Sequence, residues 1–255
     1  MKCIFGVSTD VGIKKKINQD SITVRTGNCN GRRVTMSILC DGMGGLQQGE
    51  VASATIIQRF IKWSDSELVN IIDKGNYLNL VEKQWKELLE RINQELYQYG
   101  KDNETNLGST ITGVLVVDDQ YIIVNVGDSR TYILDEEIYQ ITEDQSLMAR
   151  EIKLGRLTEE QAAVDPRRNV LLQCVGATEN IEIEFYHGVI CKGQAFLLCS
   201  DGFRHMVDDE EIFEYLNPVN MNSDTYIEET LNELVRINME RQETDNITAA
   251  YIKFV

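Results

Sequence analysis

The chain has 255 residues, of which 42% are hydrophobic and 26% are charged. It can therefore bury a sizeable core, and two prolines with no low-complexity tract give no sign of a flexible linker. Lysine and arginine number 25 against 41 acidic residues, and this net charge of −16 repels nucleic acid. No apolar run approaches the roughly 18 to 20 residues that span a membrane. We expect one soluble, monomeric domain over residues 1–255, with neither nucleic acid nor a membrane as a partner.

The six cysteines show no CxxC spacing and mostly lie inside apolar runs. This pattern is typical of reduced cysteines that pack as small hydrophobic side chains, rather than of a zinc site or a disulfide framework. The apolar stretch after Lys2 ends at Ser8, which is too short for a secretory signal. We therefore predict a cytoplasmic protein.

The first half of the chain alternates between strand and helix patterns. Runs rich in Val, Ile and Thr predict strands, and apolar residues at helical spacing predict two amphipathic helices. In chain order, these are strands at 3–8, 21–25 and 33–40, helices at 49–63 and 78–99, and strands at 110–117, 121–126, 130–134 and 137–141.

In the second half, a polar segment at 145–180 is predicted to be mostly helical. Strands at 181–186 and 194–199, helices at 208–216 and 226–239, and a closing strand at 247–254 follow. This order predicts an α+β fold with helices grouped outside packed sheets.

Aspartates stand repeatedly where strands end or begin. Asp41 and Asp201 each follow an apolar run and precede a glycine, Asp128 follows a third such run, and Asp245 precedes the last strand. If the sheets bring these ends together, the carboxylates form an all-oxygen site that prefers Mg²⁺ or Mn²⁺. Each Asp-Gly pair taken alone also fits an ordinary turn, and spacing does not prove convergence.

Six motifs follow one another along the chain. They are GIKKKINQD at 12–20, DGMGGLQQGE at 41–50, GST at 108–110, GDSR at 127–130, SDG at 200–202 and DNIT at 245–248. Their order resembles the PP2C-type (PPM), metal-dependent protein serine/threonine phosphatases of the bacterial type. The resemblance runs from about residue 3 to the C-terminus, and the ordered set is far more specific than any one motif.

The resemblance implies a four-layer αββα sandwich, with two mainly antiparallel sheets between helix pairs and metals in a cleft at one end. Residue by residue, it implies that Asp41 bridges two Mn²⁺ or Mg²⁺ ions. Asp201 and Asp245 would then bind the first ion, and the Gly42 carbonyl would bind the second. These three aspartates are the predicted catalytic residues.

Further residues are assigned by the same resemblance. Asp128, together with Asp201, is expected to hold a third, weaker ion, while Asp20, Asn246 and Gln19 support the ligands. Two metals at roughly 3.5 to 4 Å lower the pKa of a shared water, and the resulting hydroxide would attack the phosphorus directly.

The first motif departs from the family at Lys15, where an arginine commonly binds phosphate. Lysine lacks the bidentate fork of arginine, so substrate binding is expected to be weaker or differently aimed, and Lys14 or Lys16 could share the role. Lys14 to Lys16 also fit a plain solvated turn. Met43 stands where animal members often have a histidine that is proposed as general acid, and we expect Met43 to pack under its loop.

Residues at about 142–180 resemble the flap subdomain of bacterial members. Gln145 and Asp165 replace two usual histidines, so the flap is expected to recognise substrate differently. The only histidines, His187 and His205, fall outside the motifs, and we expect ordinary structural or surface roles for both.

Three functions compete. The resemblance favours an active phosphoserine/phosphothreonine phosphatase whose partners are phosphorylated proteins, Ser/Thr kinases and their targets. The alternative is a catalytically weak or inactive regulator that acts by binding a partner. A third idea, an acidic calcium-binding protein, lacks any EF-hand loop.

Overall fold

The computed structural model describes residues 1–44 and 48–255, so Gly45 of the glycine-rich motif and the two residues after it lie outside the described residues. The helices are α1 (Gly49–Ser66), α2 (Leu68–Ile71), α3 (Tyr77–Asp102), α4 (Leu147–Lys153), α5 (Glu159–Ala163), α6 (Asp201–Arg204), α7 (Asp209–Leu216) and α8 (Asp224–Glu240). The strands are β1 (Cys3–Asp10), β2 (Ser21–Cys29), β3 (Arg32–Cys40), β4 (Gly42–Gly44), β5 (Leu107–Ser109), β6 (Ile111–Val117), β7 (Gln120–Val126), β8 (Arg130–Leu134), β9 (Ile138–Gln140), β10 (Glu184–Val189), β11 (Ala195–Cys199) and β12 (Ile247–Phe254).

Two five-stranded antiparallel sheets form the centre of the molecule. One has the order β1-β12-β11-β8-β9, and the other has the order β10-β7-β6-β3-β2. The first sheet pairs the two ends of the chain, with Cys3 opposite Phe254 and Asp10 opposite Ile247. A separate two-stranded sheet joins β4 to β5. The strand ends that carry the predicted site thus come from both large sheets.

Helices cover both outer faces of this sandwich. The helices α1 and α3 pack on the β10-β7-β6-β3-β2 sheet through a core that includes Phe60 and Trp85, whose rings meet edge to face at 5.2 Å. The helices α7 and α8 pack on the other sheet through Ile212 and Leu231. Because β6 is covered by helices on one face and by the second sheet on the other, it is buried at every position. The predicted αββα sandwich is confirmed.

The prediction that 145–180 is mostly helical is wrong. Only α4 and α5 are helical there, and most of the rest is turn or irregular chain. Gly155 has φ +67°, which ends the first helix, and Pro166 lies within a turn in which Asp165 accepts the Arg167 N–H at 2.8 Å.

Other differences concern short or shifted elements. The strand predicted at 181–186 begins later, at Glu184, and forms β10. Ile181 and Ile183 precede it and pack against the core of α1 and α3 without pairing. The elements α2, α6, β4 and β5 are only three or four residues long and therefore show no periodicity to predict them.

None of the helices in the described ranges combines the length and apolar character that crossing a bilayer needs. All six cysteines are free thiols, as predicted, and Cys40, Cys174 and Cys199 are buried.

Candidate active site

The Asp41 main chain is held by the strand segment that contains the GST motif. Its N–H donates to Thr110 Oγ1 at 3.0 Å, and its carbonyl accepts from Thr110 N–H at 2.9 Å and from the Ser109 hydroxyl at 3.0 Å. These contacts fix Asp41 in the break between β3 and β4. The backbone cannot shift without losing three hydrogen bonds.

Gly42 lies in a space that excludes any side chain. A Cβ at this position would lie 2.3 Å from the Gly49 carbonyl oxygen and 2.5 Å from that of Gln19. The Gly42 N–H donates to the same Gln19 carbonyl at 3.1 Å. Glycine is therefore required for the close approach of β4, α1 and the 12–20 segment.

Asp201 and Asp245 are brought together by the pairing of β11 with β12. Ser200 and Thr248 exchange backbone and hydroxyl hydrogen bonds, with Ser200 N–H donating to the Thr248 carbonyl at 3.0 Å and Thr248 N–H donating to Ser200 Oγ at 3.1 Å. A Cβ on Gly202 would lie 2.2 Å from the Asn246 carbonyl oxygen. The loops that carry the two predicted ligands, Asp201 and Asp245, are therefore packed tightly against each other.

Asn246 ties the 12–20 segment to the same loops. Its buried side chain accepts the Gln19 N–H at 2.9 Å and donates to the carbonyls of Val11 at 2.9 Å and Ile17 at 3.2 Å. The Gln19 side chain turns away and donates to Glu50 at 3.2 Å. Asn246 therefore holds the loop that carries Lys15 against the loop that carries Asp245.

The Asp128 loop is linked to Asp41 through Thr110. The Ser129 and Thr110 hydroxyls share a hydrogen bond of 2.6 Å. Gly127, at φ +106°, packs so closely on Thr110 that a Cβ would lie 2.6 Å from its methyl carbon. The Arg204 guanidinium donates to the Asp128 carbonyl at 3.0 Å.

Burial and the charges of neighbouring carboxylates raise the pKa values of Asp41 and Asp128. Burial raises the pKa of Asp41 well above its ordinary value, and the charges of Asp20, Asp201, Asp245 and Asp128 raise it further. Burial and Asp201 also raise the pKa of Asp128 to about 7, although Arg204 opposes them. Concentrated negative charge without a counterion is costly, so this arrangement favours cation binding.

Asp20 lies behind this group. Burial and the charges of Asp201 and Asp245 raise the pKa of Asp20 to about 7. The nearby Thr248 and Ser200 hydroxyls act in the opposite direction but do not outweigh burial.

Lys15 lies against the cluster. Its ammonium is 2.8 Å from Asp245 Oδ1, while 41% of its side chain remains exposed. Burial lowers the pKa of Lys15, but the hydrogen bond to Asp245 and the charges of Asp41 and Asp201 outweigh it and raise the pKa above its ordinary value. A positive charge is therefore held beside the carboxylates.

The residues present fit divalent metal ions. Both carboxylate oxygens of Asp20 and Oδ1 of Asp201 are buried and have no hydrogen-bond partner, which leaves oxygen ligands unsatisfied. Hard oxygen donors suit Mg²⁺ or Mn²⁺. Over residues 1–44 and 48–255, however, no three His, Cys, Asp or Glu side chains already have the close spacing of a formed metal cage.

Sequence reasoning missed the environment of His205. Its Nε2 lies 3.6 Å from Asp201 and its Nδ1 lies 3.2 Å from the buried Glu243. Burial and Arg204 lower the pKa of His205, but Glu243 and Asp201 outweigh them and raise it. The i,i+4 spacing from Asp201 was the available signal. His187 instead bonds Glu82 at the surface, at 2.7 Å.

A second missed feature is a buried ion-pair network beside Asp128. The Asp144 carboxylate receives two bonds of 2.8 Å from Arg130, and Arg204 lies 3.4 Å from it. The network joins β8, α6 and the beginning of the predicted flap. No local sequence motif predicts this network, because Arg130 and Arg204 are 74 residues apart in the chain.

Gln145, one of the two departures from the family, binds the same loop. Its side-chain oxygen accepts the Gly127 N–H at 2.8 Å, and its side-chain nitrogen donates to the Glu182 carbonyl at 3.2 Å. The other departure, Asp165, pairs with Arg167 in a local turn.

The chain is similar to characterised phosphatases over nearly its whole length. The family model described as Protein phosphatase 2C matches residues 13–236. Protein phosphatase PhpP of Streptococcus pneumoniae is 33% identical over 247 residues, which cover 96% of this chain and 94% of PhpP.

Solved structures show the same similarity. The S. agalactiae serine/threonine phosphatase has a TM-score of 0.86 at 27% identity and covers 100% of both chains. The catalytic domain of the phosphatase PstP, solved in complex with two manganese ions, has a TM-score of 0.79 at 26% identity over 98% of this chain and 97% of PstP.

Proposed function

Since this chain belongs to the protein phosphatase 2C family and is a protein serine/threonine phosphatase, we propose that the cleft of Asp41, Asp201 and Asp245 is its catalytic centre. The observation that carries this proposal is that both carboxylate oxygens of Asp20 and one of Asp201 are buried without a hydrogen-bond partner, beside Asp41, whose pKa is raised by burial and by the charges of its neighbours. Such groups need cations to be stable as charges.

Members of this family depend on metal ions, and we propose Mn²⁺ or Mg²⁺ for this chain. Asp41, Asp201, Asp245 and the Gly42 carbonyl would hold two core ions, and Asp128 with Asp201 would hold a third, weaker ion. When bound, such ions supply an activated water and offset charge on the phosphoryl oxygens.

The protein's own residues bind and orient the substrate in this proposal. Lys15, on the solvent side of Asp245, would contact the phosphoryl group as a point charge. Asn246 and Gln19 hold the Lys15 loop, while Ser109 and Thr110 hold Asp41. These contacts would hold the bound phosphate at a fixed position relative to the carboxylates.

A covalent thiol route does not fit this site. Burial raises the pKa of Cys174 and of Cys199 to about 12, so both thiols stay protonated at neutral pH. In the proposed reaction, water attacks the phosphorus directly, the bond from phosphorus to the seryl or threonyl oxygen breaks, that oxygen gains a proton, and inorganic phosphate is released.

The names of the similar proteins favour an active enzyme over a partner-binding regulator, since PhpP and the S. agalactiae protein are both described as phosphatases. Phosphoproteins are thus the substrates. We further propose Ser/Thr kinases and their targets as the particular substrates, a monomer in the cytoplasm, and one domain over 1–255 with a substrate-recognising flap at about 142–180. The free thiols are in keeping with a reducing compartment.

The proposal is tested by measuring p-nitrophenyl phosphate hydrolysis with Mn²⁺ and with excess EDTA, alongside Mn²⁺ binding by calorimetry. Wild-type turnover should require the ion. Asp41→Asn removes a charge that is proposed to bind both core ions. Mn²⁺ affinity and kcat/KM should therefore each fall by more than about a hundredfold, which exceeds the loss typical of replacing a residue that only supports a metal ligand.

Asp119→Asn is the matched control, because Asp119 is exposed in the turn between β6 and β7. It should leave both quantities unchanged. Full activity in excess chelator, or normal Mn²⁺ binding by Asp41→Asn, would contradict the proposal.

A further inference from the structure

A cleft of about 430 Å³ opens directly beside the proposed catalytic centre. It is bounded by the C-terminal end of α3, by β4 and β5, and by residues 176–177 at the end of the predicted flap. None of the roles described above uses this cleft.

The cleft and the catalytic centre share one structural element. Met43, which lines the cleft, lies two residues after Asp41 and pairs with Gly108 across the β4-β5 sheet. The next residue of that second strand, Ser109, bonds the Asp41 carbonyl. The small sheet therefore forms a wall of the cleft and supports the central carboxylate.

The described walls of the cleft are mainly apolar. Met43, Leu107 and the ring of Tyr97 supply hydrophobic surface, and Gly108 and Gly176 leave the backbone bare between them. Neither glycine can be replaced without a clash, since a Cβ would lie 2.5 Å from Cys174 Sγ or 2.8 Å from Leu96 Cβ, respectively.

Among the described residues that line the cleft, charge is confined to the last turn of α3 and the segment just after it. Lys101 and Glu104 are both exposed, and the Lys101 ammonium stacks over the Tyr97 ring at 4.3 Å from its centroid. Opposite charges at the rim give no strong preference for a charged ligand. An apolar side chain would instead bury surface against the partly exposed side chains of Met43 and Tyr97.

We propose that this cleft is a specificity subsite that binds an apolar side chain of the phosphoprotein substrate, one or two residues from the phosphorylated residue. The proposal rests on the proposed function of the neighbouring carboxylates. Met43 lies two residues after Asp41, a distance of about 7 Å along extended chain. Two residues of an extended substrate peptide span a similar distance. A substrate with its phosphate at the carboxylates can thus reach the cleft with a near neighbour of that residue.

The test uses phosphothreonine peptides in which leucine or glutamate occupies each of the two positions on either side of the phosphorylated residue. Wild-type enzyme with Mn²⁺ should show kcat/KM about tenfold higher for leucine than for glutamate at one of these positions. Ala177→Trp fills the cleft from an exposed position and should bring this ratio close to one. Tyr97→Ser removes a wall and should reduce the same ratio.

Val219→Trp is the matched control, since Val219 is exposed between α7 and α8 and does not line the cleft. It should keep the wild-type ratio. Equal rates for leucine and glutamate at all four positions, or an unchanged ratio in Ala177→Trp, would overturn the subsite. Wild-type enzyme that fails to hydrolyse p-nitrophenyl phosphate with Mn²⁺ would overturn the proposed function beneath it.

Discussion

At the scale of single residues, the ion pair of Lys15 with Asp245 joins the proposed phosphate contact to a proposed metal ligand. Lys15→Ala should lower kcat/KM on a phosphopeptide by about tenfold to a hundredfold, or about 1.4 to 2.7 kcal/mol, because a charge on the phosphoryl group is lost. Lys15→Arg should keep or improve activity, since a guanidinium can bond phosphate bidentately.

Steady-state kinetics and Mn²⁺ calorimetry check this expectation. Mn²⁺ affinity should not fall in Lys15→Ala, because the ammonium competes with the ion for Asp245. The exposed Lys14 provides a control, and Lys14→Ala should behave as wild type. Normal kinetics in Lys15→Ala, with the loss found in Lys14→Ala or Lys16→Ala, would move the phosphate contact to that neighbour.

Gly202 offers a prediction about stability rather than catalysis. Gly202→Ala would press a methyl group against the Asn246 carbonyl, which lies 2.2 Å from the Cβ position. Overpacking of this kind costs about 1 to 3 kcal/mol, which urea unfolding should detect. Gly75→Ala has open space around its Cβ and should leave stability unchanged or raise it by about 0.5 kcal/mol. Equal stability of the two variants would show that the loops can separate without cost.

At the scale of elements, Asp144 connects β8 and α6 to the beginning of the predicted flap. Burial raises the pKa of Asp144, but Arg204 and Arg130 outweigh it and bring the pKa below its ordinary value. The ionised carboxylate therefore stabilises the fold above about pH 4, and this contribution is lost as the pH falls through the lowered pKa.

Asp144→Asn should consequently lower the free energy of unfolding by about 3 kcal/mol at pH 7, since two arginines lose their buried partner. The difference from wild type should shrink below pH 4, and urea unfolding at pH 7 and pH 3 measures it. Asp65→Asn breaks only the exposed pair with Arg25 and should cost less than about 1 kcal/mol. A deficit in Asp144→Asn that does not change with pH would contradict the assigned role.

The elements also show how far the sequence could be interpreted. The long strands and the helices α1, α3, α7 and α8 were predictable because a buried face imposes a period of two or 3.6 residues. The segment 145–180 was not, since its residues are largely exposed and its turns depend on local side-chain bonds such as that of Asp165. An exposed polar segment carries no periodic signal.

At the scale of the whole molecule, the predicted site residues come from segments at both ends of the chain. The aspartates could be predicted from strand ends and motif order, and the structure brings Asp41, Asp201 and Asp245 into one electrostatic group. The ion-pair and hydrogen-bond partners of the site residues could not be predicted from the sequence. Lys15 with Asp245 and Asn246 with Gln19 are contacts between the first and last twenty residues, which only the completed β1-β12 pairing brings together.

The central claim is that this group of carboxylates binds the ions on which the phosphatase depends. A crystal structure at saturating Mn²⁺, with anomalous diffraction to identify the metal, tests it most directly. We expect two Mn²⁺ ions that share Asp41, with Asp201, Asp245 and the Gly42 carbonyl among their ligands. Mn²⁺ bound elsewhere, or a cleft in which Asp41 touches no ion while the crystallised protein remains active, would contradict it.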